Sequence, residues 1–430
     1  MSTKRIKRVI IAGAGFSAPA KLPIQSRIID KMIEEPQGGF LDGTIPRESY
    51  KFLDAYIIVG LFLLNNYGKN DYAHFEREYS HIREIFKTRE IIFSLATRAE
   101  ATDPARSLLL GIADRELRED DRYSYYYSLR EKIRKAIKQE NINVNLEDIF
   151  TSFDKSVLSR EYLHQYTYEK MDAIRISIIR LFAYYFSKCV QEHICTQKGY
   201  LDFTTFIKSK RIKTPATIIT TNWDTLVEKY FLAEGVKFYY GFHSPYTSED
   251  FSSIQGKEEI LLLKVHGSAN WLKCQHCGAV SVFPDNAAAA SLFEDGGYER
   301  CAICGSSSVD SGSSLQPEII TPSMVKSLSS RIFLNLWGAA ADEIRHATHV
   351  LFLGYSFPIA DFEFRYLLQR NMPPDARINV VLYHDDSPAQ TSQMHLRELL
   401  PEKRYRDAFP RNDIHFYYEG FGQYFETIQV

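Results

Sequence analysis

At 430 residues, 45% hydrophobic, 25% charged and 13% aromatic, the chain has material for one large elaborated domain or two ordinary ones; a disulfide-stapled miniprotein and a globally disordered chain are excluded. The 52 Lys+Arg against 54 Asp+Glu leave a net charge of -2, so no overall field drives the protein onto nucleic acid or an acidic membrane, and any such binding would have to be local. Direct nucleic-acid binding is not expected. No apolar run approaches the ~18 residues needed to cross a bilayer; the longest, Tyr56 to Leu64, reads as a buried helix.

Near the start, Lys4, Arg5, Lys7 and Arg8 precede an apolar stretch ending in Ala18-Pro19-Ala20, which imitates a secretion signal. The stretch is short and holds Gly13 and Gly15, which would break an apolar helix. Its better reading is a buried parallel strand, Arg8 to Ala12, running into a glycine pair, with helical periodicity resuming near Pro23. Residues 45–210 differ in character: stretches such as Asp114 to Lys138 and Glu169 to Cys195 mix charge with apolar residues at three-to-four spacing, which predicts a helical insertion. From Pro215 the pattern reverts to short β-branched runs, Ala216–Thr220, Ile260–Val265, Val350–Leu353 and Ile378–Tyr383, alternating with helices. Alternation of this kind predicts an α/β fold, a Rossmann-like parallel sheet with a helical insertion. Residues 272–314 form a Cys-, Gly- and Ser-rich module too small to own a core, with Ser306 to Ser314 as a loop.

Four of the six cysteines make two CxxC pairs, Cys274/Cys277 and Cys301/Cys304, with Gly278 and Gly305 after them. Four thiolates at this spacing predict a closed structural Zn2+ site with no open position for catalysis. Thiols used in this way agree with a reducing, cytoplasmic setting. Cys189 and Cys195 are expected in an amphipathic helix.

Other motifs lie at predicted strand ends, where open α/β sheets bind ligands. Gly13-Ala14-Gly15-Phe16-Ser17 suits a phosphate-binding turn, although an ordinary strand-to-helix turn would look alike. The acidic residue that a hydride-transferring dinucleotide domain carries about 20 residues on is missing; Glu34-Glu35-Pro36 reads as a helix end. Asn222 and Asp224 follow the strand at Thr220, either as ligand-binding groups or as helix caps. His266 ends the next strand beside Gly267, where an imidazole suits proton transfer at neutral pH. Gly354-Tyr355-Ser356 ends another.

Taken in order, these motifs resemble the sirtuin family, over roughly residues 5–40 and 145–385; the whole chain, 1–430, would then be one sirtuin-like domain. The resemblance implies NAD binding and cleavage of the nicotinamide–ribose bond. Gly13, Ala14, Gly15 and Ser17 would hold the diphosphate and neighbouring ribose, Asn222 the nicotinamide ribose or a water, and Asp224 the nicotinamide end. His266 would be the general base, and Gly354 and Ser356 would support the adenosine. Two departures bear on the activity. Deacylases of the family continue the glycine loop with Gly-Ile-Pro-Asp-Phe-Arg, where this chain has Lys21 to Ser26, and carry Phe-Gly-Glu after the zinc module, where it has Ile320-Thr-Pro-Ser-Met324. His266-Gly-Ser-Ala-Asn-Trp271, Asn222-Trp-Asp224 and Gly354-Tyr-Ser-Phe-Pro with Asp361 resemble instead the bacterial sirtuin-like branch that hydrolyses NAD in anti-phage defence. The expected activity is therefore NAD+ hydrolysis to nicotinamide and ADP-ribose, gated by homo-oligomerisation or by a partner ATPase of the HerA type, with the helical insertion as the candidate surface. NAD-dependent protein deacylation and a non-catalytic NAD- or ADP-ribose-binding subunit are the alternatives.

Overall fold

The computed structural model describes residues 6–22, 50–98, 106–108, 110, 119–142, 144–163, 165–209, 216–242, 260–283, 288, 293, 301, 303–305, 315–325, 330–382 and 401–428. The helix start near Pro23, the Glu34-Glu35-Pro36 stretch and the Ser306 to Ser314 loop lie outside them.

Strand β1 (Arg8–Ala12) is followed by one helical turn, α1 (Ala14–Ser17), and a 3-10 turn, Ala18–Ala20. Six longer helices come next: α2 (Tyr50–Tyr67), α3 (Ala73–Arg98), α4 (Glu119–Glu140), α5 (Leu146–Ser159), α6 (Tyr168–Glu192) and α7 (Lys198–Lys208). The second half alternates: β2 (Thr217–Thr220), α8 (Leu226–Ala233), β3 (Phe238–Tyr239), β4 (Ile260–Lys264), β5 (Gly267–Cys274), β6 (Val280–Val282) and β7 (Leu315–Ile319). It ends with α9 (Arg331–Arg345), β8 (His349–Leu353), α10 (Phe362–Asn371), β9 (Arg377–Val381), β10 (Ile414–Tyr417) and α11 (Gly420–Ile428).

Seven strands form one sheet in the order β10-β9-β8-β1-β2-β4-β3, every pairing parallel. A parallel sheet is covered on both faces, which is why β1, β2 and β8 are continuous apolar runs with nearly every residue buried. Strand β1 sits between β8 and β2, so the loop leaving it meets the loops leaving both neighbours at one carboxyl edge. A separate antiparallel sheet, β6-β5-β7, carries the first CxxC pair at its end.

The expected Rossmann-like sheet is present, with strand ends within one or two residues of those read from sequence; Tyr383 lies outside the described residues. Among the described residues the stretch from β1 to β2 is helical apart from one isolated antiparallel bridge, Leu163 with Tyr166. Helix α2, predicted from Tyr56 to Leu64, packs its apolar length against α4 and α6. Cys189 lies in α6 as expected, but Cys195 does not. The helix stops at Glu192 because the Lys229 ammonium takes the carbonyls of Val190, Gln191 and His193, ending the ladder with a cation at the negative pole of the helix. The last described residues complete both the sheet and the first loop's packing. Strand β10 extends the sheet beyond β9, and α11 packs on α7 and brings Phe421 onto Phe16 of the first loop, ring centroids 4.8 Å apart.

Candidate functional site

The glycine loop is built for close approach. Gly13 N–H donates to the Leu353 carbonyl and Gly15 N–H to the Gly354 carbonyl, both at 2.9 Å, fastening the loop after β1 to the loop after β8. A Cβ on Gly13 would lie 2.7 Å from Tyr355 Cα, and one on Gly354, whose φ is +60°, would lie 2.2 Å from Phe16 N. Glycine is needed because two backbones touch. These donors are used inside the protein, so the glycines' structural reason stands without a ligand.

Asn222, Ser17 and Asp224 close into one polar knot. Asn222 Nδ2 donates to the Gly13 carbonyl at 2.9 Å and to Ser17 Oγ at 3.0 Å, and Ser17 Oγ donates to Asp224 Oδ2 at 2.8 Å. Asp224 Oδ1 also accepts the Leu226 N–H, the first of α8, at 3.1 Å, although the N-cap position itself is Thr225, which makes no side-chain cap bond. Asn222 does not cap; it spans the two loops. Ser17 and Asp224 are buried, whereas Asn222 is half-buried.

His266 is brought to the same edge by the turn between β4 and β5. Its Nε2 lies 3.3 Å from Asp361 Oδ1, and Asp361 Oδ2 accepts from Tyr355 OH at 3.1 Å. Burial, reinforced by the Asp361 charge, holds the Tyr355 phenol well above its ordinary range, so it stays a donor to that carboxylate. Tyr355 belongs to the loop that touches Gly13, and this links the glycine loop to the histidine. Buried Phe357 takes a left-handed φ of 56° directly before Pro358, a strained position worth about 1–3 kcal/mol, held by the Tyr405 and Phe409 rings. Ala14 and Ser356 stand exposed on the two loops, and Gly15 and Gly354 are half-buried.

One pair was missed from sequence. Lys264, the last residue of β4, donates to Glu228 Oε1 of α8 at 2.9 Å and to the Asp224 carbonyl, while Tyr240 OH donates to Glu228 at 3.1 Å. Lys264 and Glu228 side chains are 1% and 2% exposed. Lys264 thereby ties the Asn222–Asp224 loop to the strand that leads into His266. The available signal was a charge ending the apolar run Ile260-Leu-Leu-Leu-Lys264: a lysine in a buried strand needs a buried partner.

The four cysteines converge as predicted, all sulfurs within 4.8 Å of one another. Cys274 Sγ and Cys304 Sγ are 3.7 Å apart, and Cys277 Sγ and Cys301 Sγ 3.6 Å. A zinc ion with bonds of about 2.3 Å sets tetrahedral sulfurs about 3.8 Å apart. Each pair makes the same turn: the N–H of Gly278 or Gly305, at φ +74° and +66°, donates to the first cysteine's carbonyl at 2.9 Å. The Ala279 N–H favours the Cys277 thiolate, but burial and the three other thiols oppose it and push the thiol up to about 12. Four sulfurs this close ionise together only around a cation. The donor set therefore fits structural zinc.

Among the described residues no helix is long and apolar enough to cross a membrane. A family model described as a SIR2-like domain matches residues 216–300, the stretch holding Asn222, Asp224, His266, Cys274 and Cys277. No curated protein matches the chain. Similar solved structures include a Sir2–p53 peptide–NAD+ complex, 10% identical, covering 98% of this chain and 92% of that one at a TM-score of 0.34. Another is Sir2Tm bound to a propionylated peptide, 14% identical, covering 58% and 77% at a TM-score of 0.31. Overlap at these scores assigns no residue a role in this chain.

Proposed function

We propose that the protein is an NAD+ glycohydrolase that releases nicotinamide and ADP-ribose. The observation that carries this reading over deacylation concerns residues 320–324, where the deacylases of the resembled family clamp their peptide. Here that segment is engaged by the helical layer: Thr321 Oγ1 donates to Asp154 Oδ2 at 3.0 Å and Met324 N–H donates to Thr151 Oγ1 at 2.9 Å, both on α5. A peptide strand would have to displace those contacts, whereas water needs no such groove.

The chemistry asks little of the protein. The bond from ribose C1′ to the cationic nicotinamide nitrogen breaks, nicotinamide leaves neutral, and a water oxygen bonds to C1′ as its proton passes to a base. His266 is the base in this scheme, with the Asp361 carboxylate stabilising the imidazolium that forms. Asn222 holds the glycine loop against the Asp224 loop and positions the ribose or the water. Gly13, Ala14, Gly15 and Ser17 shape the diphosphate side, Asp224 the nicotinamide end, and Gly354 and Ser356 the adenosine side. Zinc holds the cysteine module and takes no part in the reaction. The resemblance of the Asn222, His266 and Gly354 motifs to the bacterial sirtuin-like NAD hydrolases supports assigning it to anti-phage defence, and an enzyme that destroys NAD must be held in check in its own cell. Gating falls to homo-oligomerisation or to a partner ATPase of the HerA type docking on the helical layer.

The test is chromatographic separation of nicotinamide and ADP-ribose after incubation with NAD, with and without candidate activators and with and without an acyl-lysine peptide. Peptide-independent release that is lost in Asn222→Ala and in His266→Ala is expected. Release that survives in both variants refutes the assignment; release only with peptide means deacylation, and NAD binding without turnover means a sensor subunit.

A further inference from the structure

Away from the glycine loop, α5 and α6 of the helical layer and β5 and β7 of the small sheet enclose a cleft of about 290 Å3. Gly13, Asn222, His266 and Gly354 are not among its lining residues. Two ion pairs are. Arg175 Nε donates to Asp154 Oδ1 at 2.6 Å, and Lys273 Nζ lies 3.4 Å from Glu318 Oε1. In both pairs the carboxylate is the inner member, 10% and 11% exposed, and the cation the outer one, 26% and 30% exposed. Asp154 is committed further by the Thr321 hydroxyl. All four charged groups line the cleft, and in each pair the cation is the more accessible member to an entering molecule.

A third positive feature borders the same space. Ser330 and Phe333 line the cleft, and Ser330 is the N-cap of the fifteen-residue helix α9 with no side-chain capping bond. The positive pole of that helix stands at the cleft edge. Gln275 and Gln316 contribute amides, and Ile176, Ile179 and Ile319 contribute apolar walls. The volume is at the lower limit of ligand pockets, roughly 300 Å3 and upward, which suits one phosphate and one ring and is small for a dinucleotide.

We propose that this cleft binds a small phosphomonoester with a compact planar or apolar body, and that its occupancy is transmitted to His266. The transmission follows the backbone. Lys273 is on β5, which begins one residue after His266, and Ile320, the residue after β7, donates its N–H to the His266 carbonyl at 2.9 Å. Strand β7 pairs Gly267 with Ile319 and Lys273 with Gln316. A phosphate that draws Lys273 away from Glu318 pulls on both strands that hold the histidine turn. The binding half of the proposal stands alone; the regulatory half rests on the hydrolase reading.

Isothermal calorimetry on the full chain with phenyl phosphate, and separately with inorganic phosphate, tests it. Binding of phenyl phosphate should weaken about tenfold in Lys273→Gln and in Arg175→Gln, the loss of one charge-assisted bond each, and should be unchanged in Asn222→Ala. Tighter binding of phenyl phosphate than of inorganic phosphate supports the apolar walls as part of the site, whereas equal affinity overturns the phosphomonoester assignment. Because Lys273 is partly exposed, its variant keeps the test valid if Arg175→Gln fails to fold. No heat at millimolar ligand, or wild-type affinity in Lys273→Gln, overturns the proposal. Loss of binding in Asn222→Ala does the same, because it would move the site to the glycine loop. For the coupling, saturating phenyl phosphate should change nicotinamide release by about threefold or more in the wild type and not in Lys273→Gln; an unchanged rate removes it. If the protein turns over no NAD at all, the hydrolase reading falls by itself. Amide exchange at His266 and Gly267 then reads the coupling: altered protection on adding phenyl phosphate supports it, and unaltered protection overturns it.

Discussion

Replacing Lys264 with methionine leaves the shape of a long side chain and removes a charge that two groups depend on. Glu228 loses its cation at 2.9 Å and keeps Tyr240 OH at 3.1 Å, and the Asp224 carbonyl loses its donor. Both charged side chains are all but completely buried, so water cannot take over, and breaking such a pair from one side costs about 3–5 kcal/mol. Removing both partners is different. A buried ion pair exchanged for apolar groups of similar volume is commonly neutral or better, leaving the bonds that the Asp224 carbonyl and the Tyr240 hydroxyl lose to the pair, together worth about 1–3 kcal/mol. Chemical denaturation of the wild type, Lys264→Met, Glu228→Met and the double variant should therefore give a coupling energy of at least about 3 kcal/mol, with the double variant more stable than Lys264→Met. A coupling below about 1 kcal/mol would place the pair in a solvated setting and refute the reasoning. Under the hydrolase reading, the double variant should also regain stability without regaining full turnover, because the Asp224 loop has lost its tether to β4.

Three other perturbations follow from the geometry. Metal analysis should find one zinc per chain, and a chelator or Cys277→Ser should lower the melting temperature; an unchanged melt after stripping would refute a structural metal. Gly354→Ala should cost more than Gly13→Ala, about 2 kcal/mol or more, since it combines a left-handed φ with a 2.2 Å backbone approach; equal melting of the wild type and both variants would refute the close contact. Glu140 accepts from Tyr72 OH at 2.6 Å, from the Lys69 N–H at 2.9 Å and from Asn70 Nδ2 at 2.6 Å, and these bonds, Tyr72 first, lower its carboxyl to about 2. Its folded value lies below the unfolded one, so its contribution is complete above pH ~4.5 and is lost as the pH falls through about 2. An acid-stability profile of Glu140→Gln should lack that limb, and identical profiles would count against it.

How much was legible follows from where each signal came from. The strands at Arg8–Ala12 and His349–Leu353 announce themselves because a sheet covered on both faces needs continuous apolar runs, and the cysteine module because thiol spacing encodes a turn. The meeting of Gly13, Asn222 and Asp224 was expected from their strand ends. What escaped depends on partners far away in the chain. Nothing near Ser17 says that its hydroxyl is already taken by Asp224, or near Gly15 that its N–H serves Gly354. Asp361 entered only as part of a resemblance, and its place beside His266 needs the 3-10 turn Ile359–Asp361 to be built. Strand β10 was missed because an edge strand alternates in burial and carries half the apolar signal of a central one.

The place of β1 has a consequence for how the molecule is made. Val9 pairs with Thr217 on one side and Val350 on the other, so β1 is synthesised well before either neighbour and waits for both. Until then a strongly apolar strand has two open edges, a hazard for intermolecular pairing. The helices between β1 and β2 draw on local contacts and can fold during that wait, while closure of the sheet's centre requires long-range loop closure and should be slow. Aggregation during expression should therefore depend on the segments that carry β2 and β8, including substitutions there that never touch the candidate site.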